Sequence, residues 1–378
     1  MSVSCHVWLP DLAATRGGIQ RYSTFLLAAF QRAWPEPAYE VFLKNDRATR
    51  APLPGMRVHA SGGVPRRIRT PAFAAAVAFR VLVDRPRLIV VGHLNFAPVL
   101  EWLPRRRSPF WIVAHGIEAW GVERPALKRA LSRADCVVSV SRYTERRLIE
   151  EQDLDPSRMA LLPGTFDPEL FRPREPSAAL MARLGVEPGQ PVLLTVARLA
   201  GADRHKGYDV VLEALPAMRE HVPGLHYVLV GEGGDRARIE RRVRELGLEG
   251  CVTLVGSVPD AKLPDYYNLC SAFAMPSKRE GFGIVYLEAM ACGKPVIAGD
   301  RDGSRDALLD GEIGVLVDPD DVEAFGAAAV EVLSGSHPNR SIYDPVGLRR
   351  RVIECFGPER FRERLDHILD ARGVRGES

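Results

Sequence analysis

Short apolar runs alternate with longer amphipathic segments along the whole chain, and this alternation constrains the fold more than any other feature. In segments such as 19–32 and 209–219, apolar residues recur at intervals of three and four, the period of a helix packed on one side. The apolar runs are nearly continuous, as in strands that helices cover on both faces. They fall at residues 4–9, 39–43, 87–91, 110–114, 136–140, 191–196, 226–230, 252–255, 272–275 and 295–298. The pattern predicts an α/β fold with two doubly wound parallel sheets.

The runs form two series, and a chain of 378 residues is long enough for two such domains. Between the series, residues 171–190 concentrate proline, glycine and charge just before the buried run VLLTVA. We therefore expect a first Rossmann-like domain over residues 1–183 and a second over residues 184–340. Residues 341–378 are expected to form terminal helices.

The composition is that of a globular chain without a membrane-spanning segment. Apolar residues make up 46% of the chain and charged residues 26%, which excludes a disordered polymer. No uninterrupted apolar stretch reaches the length that a bilayer requires, and the N-terminus lacks the basic and apolar regions of a secretory signal. The six cysteines form no CxxC pair, so we expect neither a disulfide framework nor a zinc site. These features favour a cytoplasmic location.

The charge is divided unequally between the two halves. Residues 1–186 carry 27 Lys and Arg against 17 Asp and Glu, whereas the remainder carries 24 against 31. Basic residues cluster in the segments 66–69 and 105–107. These clusters are either solvated loops or sites that contact an anionic membrane surface, where each basic residue contributes about 1 kcal/mol. The sequence leaves both interpretations open, and no nucleic acid partner is expected.

A pair of glycines follows the first predicted strand. Gly17 and Gly18 stand where the first predicted helix begins. At such a position the unpaired N–H groups of the helix and its positive dipole end can approach an anion. Paired glycines are also common in turns for conformational reasons alone. Taken by themselves, they leave both interpretations open.

Two cations follow the first strand of the second series. Arg198 comes at the end of the run VLLTVARL, and Lys206 comes before the next helical segment. In parallel α/β sheets, ligands bind at the carboxyl ends of the strands. Two cations at this position can bind a diphosphate and stabilise the charge that it acquires as a leaving group. The alternative is an exposed charged loop without a function.

The most informative segment is AFAMPSKREGFGIVYLEAMACG, in which a predicted strand leads through a glycine-rich loop into a helix. Glu280 lies before this helix, and Glu288 lies in its second turn. Ionised carboxylates are strong acceptors for the hydroxyl groups of a sugar or a ribose. The glycines would let the backbone amides of Gly283 and Ile284 approach sugar or phosphate oxygens. A solitary glutamate would be an ordinary residue of a helix face, whereas the whole segment is much less expected by chance.

The second half resembles the retaining glycosyltransferases of family 4, also called glycosyltransferases group 1, over nearly its whole length. The matching segments are VLLTVARL, KGYDVVLEALP, YVLVGEGG, VTLVGSV, AFAMPSKREGFGIVYLEAMACGKPVIAGD and IGVLVDPDD. The family has two glutamates separated by seven residues, as Glu280 and Glu288 are here. The resemblance implies the GT-B architecture, in which two Rossmann-like domains face each other and the final helix crosses back toward the first domain.

The same resemblance implies a role for each residue of this segment. Glu280 would hold the hydroxyls of the donor sugar and stabilise the developing oxocarbenium charge, and Glu288 would bind the nucleotide ribose. Arg198 and Lys206 would bind the diphosphate. The backbone amides that would contact the sugar and the phosphates are those of Phe282, Gly283 and Ile284.

The first half resembles the family more loosely, at RGGIQRY, AHGIEAW and VSVSRYTERRL. Gly17 and Gly18 resemble the loop that faces the donor phosphates and the acceptor. His115 resembles the histidine that reaches the donor sugar. By itself, a histidine at a strand end is more often a core or loop residue, but the following glycine and the fold context favour the functional role. His93, at the end of a neighbouring predicted strand, is interpreted as structural.

Three short acidic tripeptides, at 153–155, 300–302 and 318–320, raise the question of a metal ion. Such tripeptides arise readily by chance, and no histidine lies near them in the sequence. We interpret them as structural and expect neither a metal site nor a cofactor, because basic residues take the place of the metal in the family. Ser304 and Arg305 stand where other members have a glycine-rich turn, so either could touch the donor.

The resemblance implies a retaining, metal-independent hexosyltransferase. The enzyme would move a hexose from a nucleoside-diphosphate sugar, either GDP-mannose or a UDP-hexose, to an acceptor hydroxyl that attacks from the face of the departing phosphate. No residue is an evident enzymic nucleophile, so catalysis would be mainly electrostatic. The residues expected to carry catalysis are Glu280, His115, Lys206 and Arg198.

The acceptor is less constrained. The basic first half favours a lipid-linked glycan of bacterial polysaccharide biosynthesis, with peripheral association at the inner face of the cell membrane. The alternatives are a soluble small molecule or a protein as the acceptor, and a non-catalytic protein that only binds nucleotide sugars. A nucleotide-sugar epimerase or an inverting transferase of the same architecture would lack the spacing between the two glutamates.

Overall fold

The chain divides into two compact units, each built around one parallel sheet. The computed structural model describes residues 4–14, 17–47, 54–103 and 108–375. The first unit comprises Met1–Thr165 and Pro358–Ser378, and the second comprises Phe166–Gly357.

The first unit contains a seven-stranded sheet with the strand order β3-β2-β1-β4-β5-β6-β7. All of its strand pairs are parallel. The strands are β1 (Ser4–Leu9), β2 (Ala38–Leu43), β3 (Arg57–Ala60), β4 (Leu88–Val91), β5 (Phe110–Ala114), β6 (Cys136–Ser139) and β7 (Met159–Leu161). β4 and β5 are buried at every position, which explains why central strands of this kind are recognisable as apolar runs.

Helices connect these strands. They are α1 (Gly18–Ala33), α2 (Arg66–Asp84), α3 (Pro125–Arg133) and α4 (Arg142–Gln152), with 3₁₀ helices at Leu94–Trp102, Ile117–Ala119 and Pro156–Arg158. α4 begins where the hydroxyl of Ser141 accepts a hydrogen bond from the N–H of Thr144, and it ends at Asp153 in the left-handed conformation.

The second unit contains a six-stranded parallel sheet with the order β10-β9-β8-β11-β12-β13. The strands are β8 (Val192–Val196), β9 (His226–Val230), β10 (Val252–Gly256), β11 (Ala272–Met275), β12 (Val296–Gly299) and β13 (Val315–Val317). The helices are α5 (Ala178–Leu184), α6 (Tyr208–His221), α7 (Arg236–Glu245), α8 (Leu263–Leu269), α9 (Ile284–Ala291), α10 (Ser304–Ala307), α11 (Val322–Ser334) and α12 (Pro345–Phe356). The 3₁₀ helices are Gly201–Lys206, Asp260–Lys262, Leu309–Gly311 and Arg340–Tyr343. The last helix of the chain, α13 (Pro358–Ala371), belongs to the first unit.

Each sheet forms its own hydrophobic core with the helices that cover it. In the second unit, Tyr208 of α6, Tyr227 of β9 and Phe325 of α11 belong to one buried cluster. In the first unit, Trp8 of β1 and Phe73 of α2 belong to another. Because full burial of one such side chain contributes about 1.5–3 kcal/mol, each core stabilises its unit through that unit's own strands and helices.

The predicted fold class is confirmed, but three strands were not expected. They are β3, β7 and β13, and each forms an edge of its sheet. These strands are only three or four residues long, and each has at least one position that is not fully buried. β3 (RVHA) lacks a continuous apolar run, and β7 (MAL) and β13 (VLV) are apolar but shorter than the runs by which the other strands were recognised.

The units divide at Thr165–Phe166, earlier than the boundary expected after residue 183. The segment before α5 bonds to residues of the second unit. The side chain of Asn268 accepts a hydrogen bond from the N–H of Arg174 and donates one to the carbonyl oxygen of Arg172. The terminal helices also divide, since α12 belongs to the second unit and α13 to the first.

Candidate functional site

The carboxyl ends of the strands in the second unit bring together the segments on which the sequence interpretation depends. The chain passes from β8 to β9 in one direction along the sheet and from β11 to β12 in the other, while β8 and β11 are neighbours. Such a reversal is the topological switch point at which open α/β sheets form a ligand-binding crevice. Arg198 and Lys206 lie in the connection after β8, and Glu280 lies in the connection after β11.

Lys206 and Glu280 form an ion pair at this switch point. Their side chains are 20% and 14% exposed, so the pair is sheltered but still accessible from solvent. Solvent weakens a sheltered charge pair less than one on an open surface. The arrangement places a cation suited to a phosphate beside an acceptor suited to a sugar hydroxyl.

The second predicted cation, Arg198, is engaged by a neighbouring carboxylate that the sequence interpretation did not single out. Its Nε and Nη2 atoms donate to the two carboxylate oxygens of Asp203 at 2.6 and 2.9 Å. The side chain of Asp203 is 7% exposed, whereas that of Arg198 is 68% exposed. The bidentate pair fixes the orientation of the guanidinium group. A phosphate bound here would share Arg198 with Asp203.

The loop after β11 enters α9 through a turn that only glycine can make. Gly283 has a φ of 91°, and a Cβ atom there would lie 2.2 Å from the ring of Tyr286. α9 begins at Ile284, and the first N–H groups of a helix have no partner within it. Phe282 is buried and packs against Phe356 with ring centroids 5.4 Å apart. The side chain of Phe282 thus anchors the loop whose backbone amides are expected to face the donor.

Glu288 lies in a different environment from Glu280. It is 1% exposed, and its carboxylate accepts a hydrogen bond of 2.8 Å from the hydroxyl of Tyr267. The two glutamates of the motif therefore have different partners, Lys206 for Glu280 and Tyr267 for Glu288.

Asp302, interpreted from the sequence as part of a chance acidic tripeptide, contacts the Glu280 loop directly. One carboxylate oxygen accepts a hydrogen bond of 2.5 Å from the N–H of Glu280, and the other accepts one of 2.9 Å from the N–H of Ser304. Ser304 is buried, and Arg305 pairs with Asp310. The sequence contained no signal for the Asp302 contact, because it joins two loops that follow different strands.

The remaining acidic residues of the tripeptides near this site pair with cations. Asp318 and Asp320 both pair with Arg301, and Asp320 also pairs with Lys278. Across the four described stretches of the chain, no group of three or more His, Cys, Asp or Glu is arranged to hold a metal ion.

In the first unit, Gly17 and Gly18 stand at the beginning of α1. Asp46 holds the loop before them, because its carboxylate accepts hydrogen bonds of 2.6–3.2 Å from the backbone N–H groups of residues 12–14. A Cβ atom at Gly18 would meet nothing within 4 Å, and one at Gly17 would lie 3.2 Å from the side chain of Gln20. Packing therefore does not require glycine at residue 18. The missing side chain leaves the N-terminus of a 16-residue helix open to an anion.

His115 follows β5 at the carboxyl edge of the first sheet. Its Nε2 atom lies 2.8 Å from the carbonyl oxygen of Gly92, and since a carbonyl oxygen only accepts, Nε2 carries the proton. Burial lowers the pKa of His115 to about 4, so the ring is neutral at pH 7. The ring packs edge-on against Tyr22. Nδ1 is the nitrogen that would accept a hydrogen bond from a sugar hydroxyl.

His93 lies at the same edge and has a structural contact. Its Nδ1 atom accepts a hydrogen bond of 3.2 Å from the N–H of Asn95, at the start of the 3₁₀ helix Leu94–Trp102. Its ring centroid is 6.3 Å from that of His115. Any ligand of His115 would therefore lie close to His93 as well.

Two family profiles match the chain. One, described as Glycosyl transferases group 1, matches residues 177–344, and the other, described as Glycosyltransferase Family 4, matches residues 16–170. A GDP-mannose-dependent alpha-(1-6)-phosphatidylinositol monomannoside mannosyltransferase of Mycolicibacterium smegmatis is 32% identical over 96% of this chain and 97% of its own. The chain belongs to glycosyltransferase family 4.

Other comparisons extend this result. A D-inositol 3-phosphate glycosyltransferase of Segniliparus rotundus is 31% identical to this glycosyltransferase over 81% of the chain and 74% of its own. The structure of a sucrose-phosphate synthase from Thermosynechococcus elongatus aligns with a TM-score of 0.79 at 25% identity, over 97% of this chain and 98% of its own. That of Anabaena HepE in complex with UDP-glucose aligns with a TM-score of 0.77 at 20% identity, over 97% and 99%. The expected family and the GT-B fold are confirmed.

Proposed function

We propose that this glycosyltransferase moves mannose from GDP-mannose to a hydroxyl of an inositol-containing lipid, with retention of the anomeric configuration. The observation that carries the proposal is the Lys206–Glu280 pair at the topological switch point. Lys206 shares the connection after β8 with the exposed Arg198. The named activity of the Mycolicibacterium smegmatis relative supports both the donor and the acceptor class. A UDP-hexose is the alternative donor, and a soluble inositol phosphate is the alternative acceptor.

In this proposal the cations of the second unit act on the leaving group. Lys206 and Arg198 bind the diphosphate and stabilise the negative charge that grows as the sugar–phosphate bond breaks. Glu280 accepts hydrogen bonds from the sugar hydroxyls and stabilises the positive charge that develops on the ring. His115 is proposed to accept a hydrogen bond from the donor sugar through Nδ1.

Retention follows in this proposal if the acceptor attacks the face from which the diphosphate departs. The acceptor oxygen then forms the new bond to the anomeric carbon, the bond to the phosphate oxygen breaks, and the acceptor proton passes to that oxygen. No metal takes part, because Lys206 and Arg198 supply the positive charge. Addition of a chelator should therefore leave the rate unchanged.

The ribose-binding role of Glu288 stays a proposal. Its burial and its bond to the Tyr267 hydroxyl support an alternative in which Glu288 mainly connects α9 to α8. Replacing GDP by its 2′,3′-dideoxy analogue distinguishes the two, since only direct binding of the ribose makes affinity depend on those hydroxyls.

An exposed apolar surface of the first unit supports a membrane-bound acceptor. The outer face of α2 presents Ile68, Phe79, Leu82 and Val83, which are 40–63% exposed. Trp102 is 66% exposed as well. No helix in the described parts of the chain is long and apolar enough to span a bilayer. An apolar face of this kind can instead lie within the membrane interface.

The charge near the α2 outer face is suited to anionic lipids. Arg66 and Arg67 are exposed in the first turn of α2. The residues of the first unit include 29 Lys and Arg against 19 Asp and Glu. The second basic cluster of the sequence, 105–107, lies outside the described residues. We therefore propose peripheral association through the α2 outer face, which would bring the enzyme to a lipid acceptor.

Mass spectrometry of the products tests the proposed reaction. The purified protein is incubated with GDP-mannose or UDP-glucose and either a phosphatidylinositol mannoside or D-inositol 3-phosphate. We expect one hexose to be added to the lipid from GDP-mannose, and the rate to fall about 100-fold or more in Glu280→Gln. The exposed Glu249→Gln is the matched control.

Each alternative has its own result. Product formed only with UDP-glucose would contradict GDP-mannose as the donor. Product formed only with D-inositol 3-phosphate would contradict a lipid as the acceptor. Binding of GDP without transfer to any acceptor would favour the non-catalytic alternative.

Sedimentation with vesicles tests the membrane proposal. We expect the protein to bind vesicles that contain an anionic phospholipid, and salt to weaken the binding. The double variant Phe79→Ser/Val83→Ser should lose it, whereas Val346→Ser, which changes a 74% exposed valine of the second unit, should not. Equal binding to neutral vesicles, or equal loss in both variants, would contradict the role of the α2 outer face.

A further inference from the structure

The backbone of Glu280 is held at both its N–H and its C=O by two residues that follow β12. Its N–H donates to a carboxylate oxygen of Asp302 at 2.5 Å, and its carbonyl oxygen accepts a hydrogen bond of 2.9 Å from the N–H of Gly303. Asp302 is fully buried. The loop that carries Glu280 is therefore fixed at the backbone by the neighbouring loop, independently of the Glu280 side chain.

The two loops are in close backbone contact. A Cβ atom at Gly303 would lie 2.1 Å from the carbonyl oxygen of Gly281, so a larger residue would push the loops apart. Beneath them, the hydroxyls of Ser304 and Tyr286 lie 3.0 Å apart, and Tyr286 donates to the carbonyl oxygen of Met275 at the end of β11. The Asp302 contact thus belongs to a buried hydrogen-bond network that connects both loops to the sheet.

Burying a carboxylate costs free energy unless its oxygens are hydrogen-bonded. Burial raises the pKa of Asp302 to about 7, and the nearby charge of Glu280 acts in the same direction, whereas hydrogen bonds from Ser304 and from the N–H of Glu280 lower it. The groups that face Asp302 are Glu280, itself paired with Lys206, and on α9 and α10 the uncharged hydroxyls of Tyr286 and Ser304. The ionised carboxylate accepts from both N–H groups more strongly than the protonated acid does, because protonation adds a hydrogen to one of the two oxygens.

We propose that Asp302 is a positioning residue that holds Glu280 in place for transfer. The proposal rests on the proposed function, because it assumes that Glu280 stabilises the transition state. Asp302 would act on the orientation of Glu280, because it bonds the backbone of that residue. The Glu280 carboxylate is then available to Lys206 and to the sugar. A displacement of about 1 Å in such a group can lower the rate about 100-fold.

Steady-state kinetics of Asp302→Ala and Asp302→Asn test this role, with Asp310→Asn as the matched control. Asp310 pairs with Arg305 at 52% exposure, and asparagine tolerates its left-handed conformation as well as aspartate does. We expect kcat to fall about 10- to 100-fold in Asp302→Ala while KM for the donor changes about threefold or less. Asp302→Asn, which keeps one acceptor oxygen, should recover part of that loss, and Asp310→Asn should match the wild type.

The pH profile separates positioning from a general loss of structure. In the wild type, kcat should decrease as the pH falls through about 7, because protonation of Asp302 weakens its hydrogen bonds to the two N–H groups. In Asp302→Asn this decrease should be absent, and it should persist in Asp310→Asn. A wild-type kcat and pH profile in a natively folded Asp302→Ala would overturn the proposal.

Hydrogen exchange distinguishes failure of this proposal from failure of the proposed function. The amide of Glu280 should exchange about tenfold faster or more in Asp302→Ala than in the wild type, whether or not a transfer activity is found. If the wild type transfers no sugar, the proposed function fails. If Glu280 exchange is the same in both proteins, the Asp302 proposal fails, whatever the activity.

Discussion

The carboxyl edges of the two sheets share a topology but differ in chemistry. In the second unit, the residues that the family resemblance singles out are charged and paired, Lys206 with Glu280 and Arg198 with Asp203. In the first unit, they are uncharged: Gly17 and Gly18 have no side chains, and His115 is neutral at pH 7. One edge offers fixed charges, and the other offers backbone N–H groups and a single ring nitrogen.

Under the proposed function, the charged edge acts on the diphosphate of the donor, whereas the uncharged edge contacts uncharged hydroxyls of the sugar and of the acceptor. A nucleoside-diphosphate donor always carries the same phosphate charge, so its site needs cations at defined positions, and these leave a strong sequence pattern. An acceptor hydroxyl carries no charge, and acceptors differ widely within one fold. Substitutions at the edge with the paired charges should therefore mainly lower kcat. Substitutions at the uncharged edge should mainly change substrate affinity and specificity.

Lys206→Ala tests the charged edge and should have the largest effect. Removing a cation from the developing charge of the diphosphate should lower kcat about 100- to 1,000-fold. The exposed Lys262→Ala, also in the second unit, is the matched control and should retain the wild-type rate. If Lys206→Ala lowered kcat less than His115→Ala, the contrast between the edges would be wrong.

A pair of glycine variants compares the two edges in stability. Gly283→Ala forces a side chain into a left-handed conformation against the ring of Tyr286, and should lower the free energy of unfolding by about 2 kcal/mol or more. In Gly18→Ala the added methyl group lies in open space at the start of α1, so the free energy of unfolding should change by less than about 1 kcal/mol.

Thermal unfolding measures both variants, with Gly250→Ala as the control in the second unit, because its Cβ atom would also meet nothing within 4 Å. Donor affinity should fall in Gly18→Ala if an anion approaches α1. Equal losses of stability in Gly283→Ala and Gly18→Ala would contradict the packing described for the two edges.

The pH dependence of stability tests whether the carboxyl edge of the first sheet is uncharged. The pKa of His115 is about 4 in the folded protein, whereas that of an unfolded histidine is about 6.5. Between these values the unfolded chain binds a proton that the folded chain does not, so stability should fall as the pH falls. Between about pH 6.5 and 5, the contribution of His115 should lower the free energy of unfolding by about 1–2 kcal/mol.

Burial also lowers the pKa of His6 to about 4, so His6 should likewise make the protein less stable as the pH falls. Urea unfolding at a series of pH values gives the slope of the free energy of unfolding against pH. This slope should be smaller in His115→Gln than in the wild type, but not zero. His221→Gln, which alters an exposed histidine at the end of α6, serves as the control. An unchanged slope in His115→Gln would show that His115 has the same pKa in the folded and unfolded states, and would contradict a neutral, buried ring.

The central strands and the donor loops could be predicted from the sequence because their signals are local. β5 is an unbroken apolar run, and the segment from β11 into α9 shows its strand, glycine turn and helix in order. The edge strand β3 lacks such a run, since edge strands are covered on fewer sides.

The partners of the candidate site residues could not be predicted, because they depend on contacts between loops. Asp203, Tyr267 and Asp302 each hold a residue that the sequence singled out. Asp203 and Tyr267 belong to no recognisable pattern, and the acidic tripeptide that contains Asp302 gives no sign of this contact. The boundary between the units was misplaced for a similar reason. The proline- and glycine-rich segment looks like a linker, but Asn268 bonds its backbone to the second unit.

The anomeric configuration of the first product tests the central claim most directly. Proton NMR of the product formed from GDP-α-mannose shows whether the new glycosidic bond is α or β, because a glycoside, unlike a free sugar, does not change its anomeric configuration in solution. We predict an α-mannoside from the wild type and from Glu249→Gln, with about 100-fold less product from Glu280→Gln. A β-mannoside, or equal rates in the wild type and Glu280→Gln, would contradict the account.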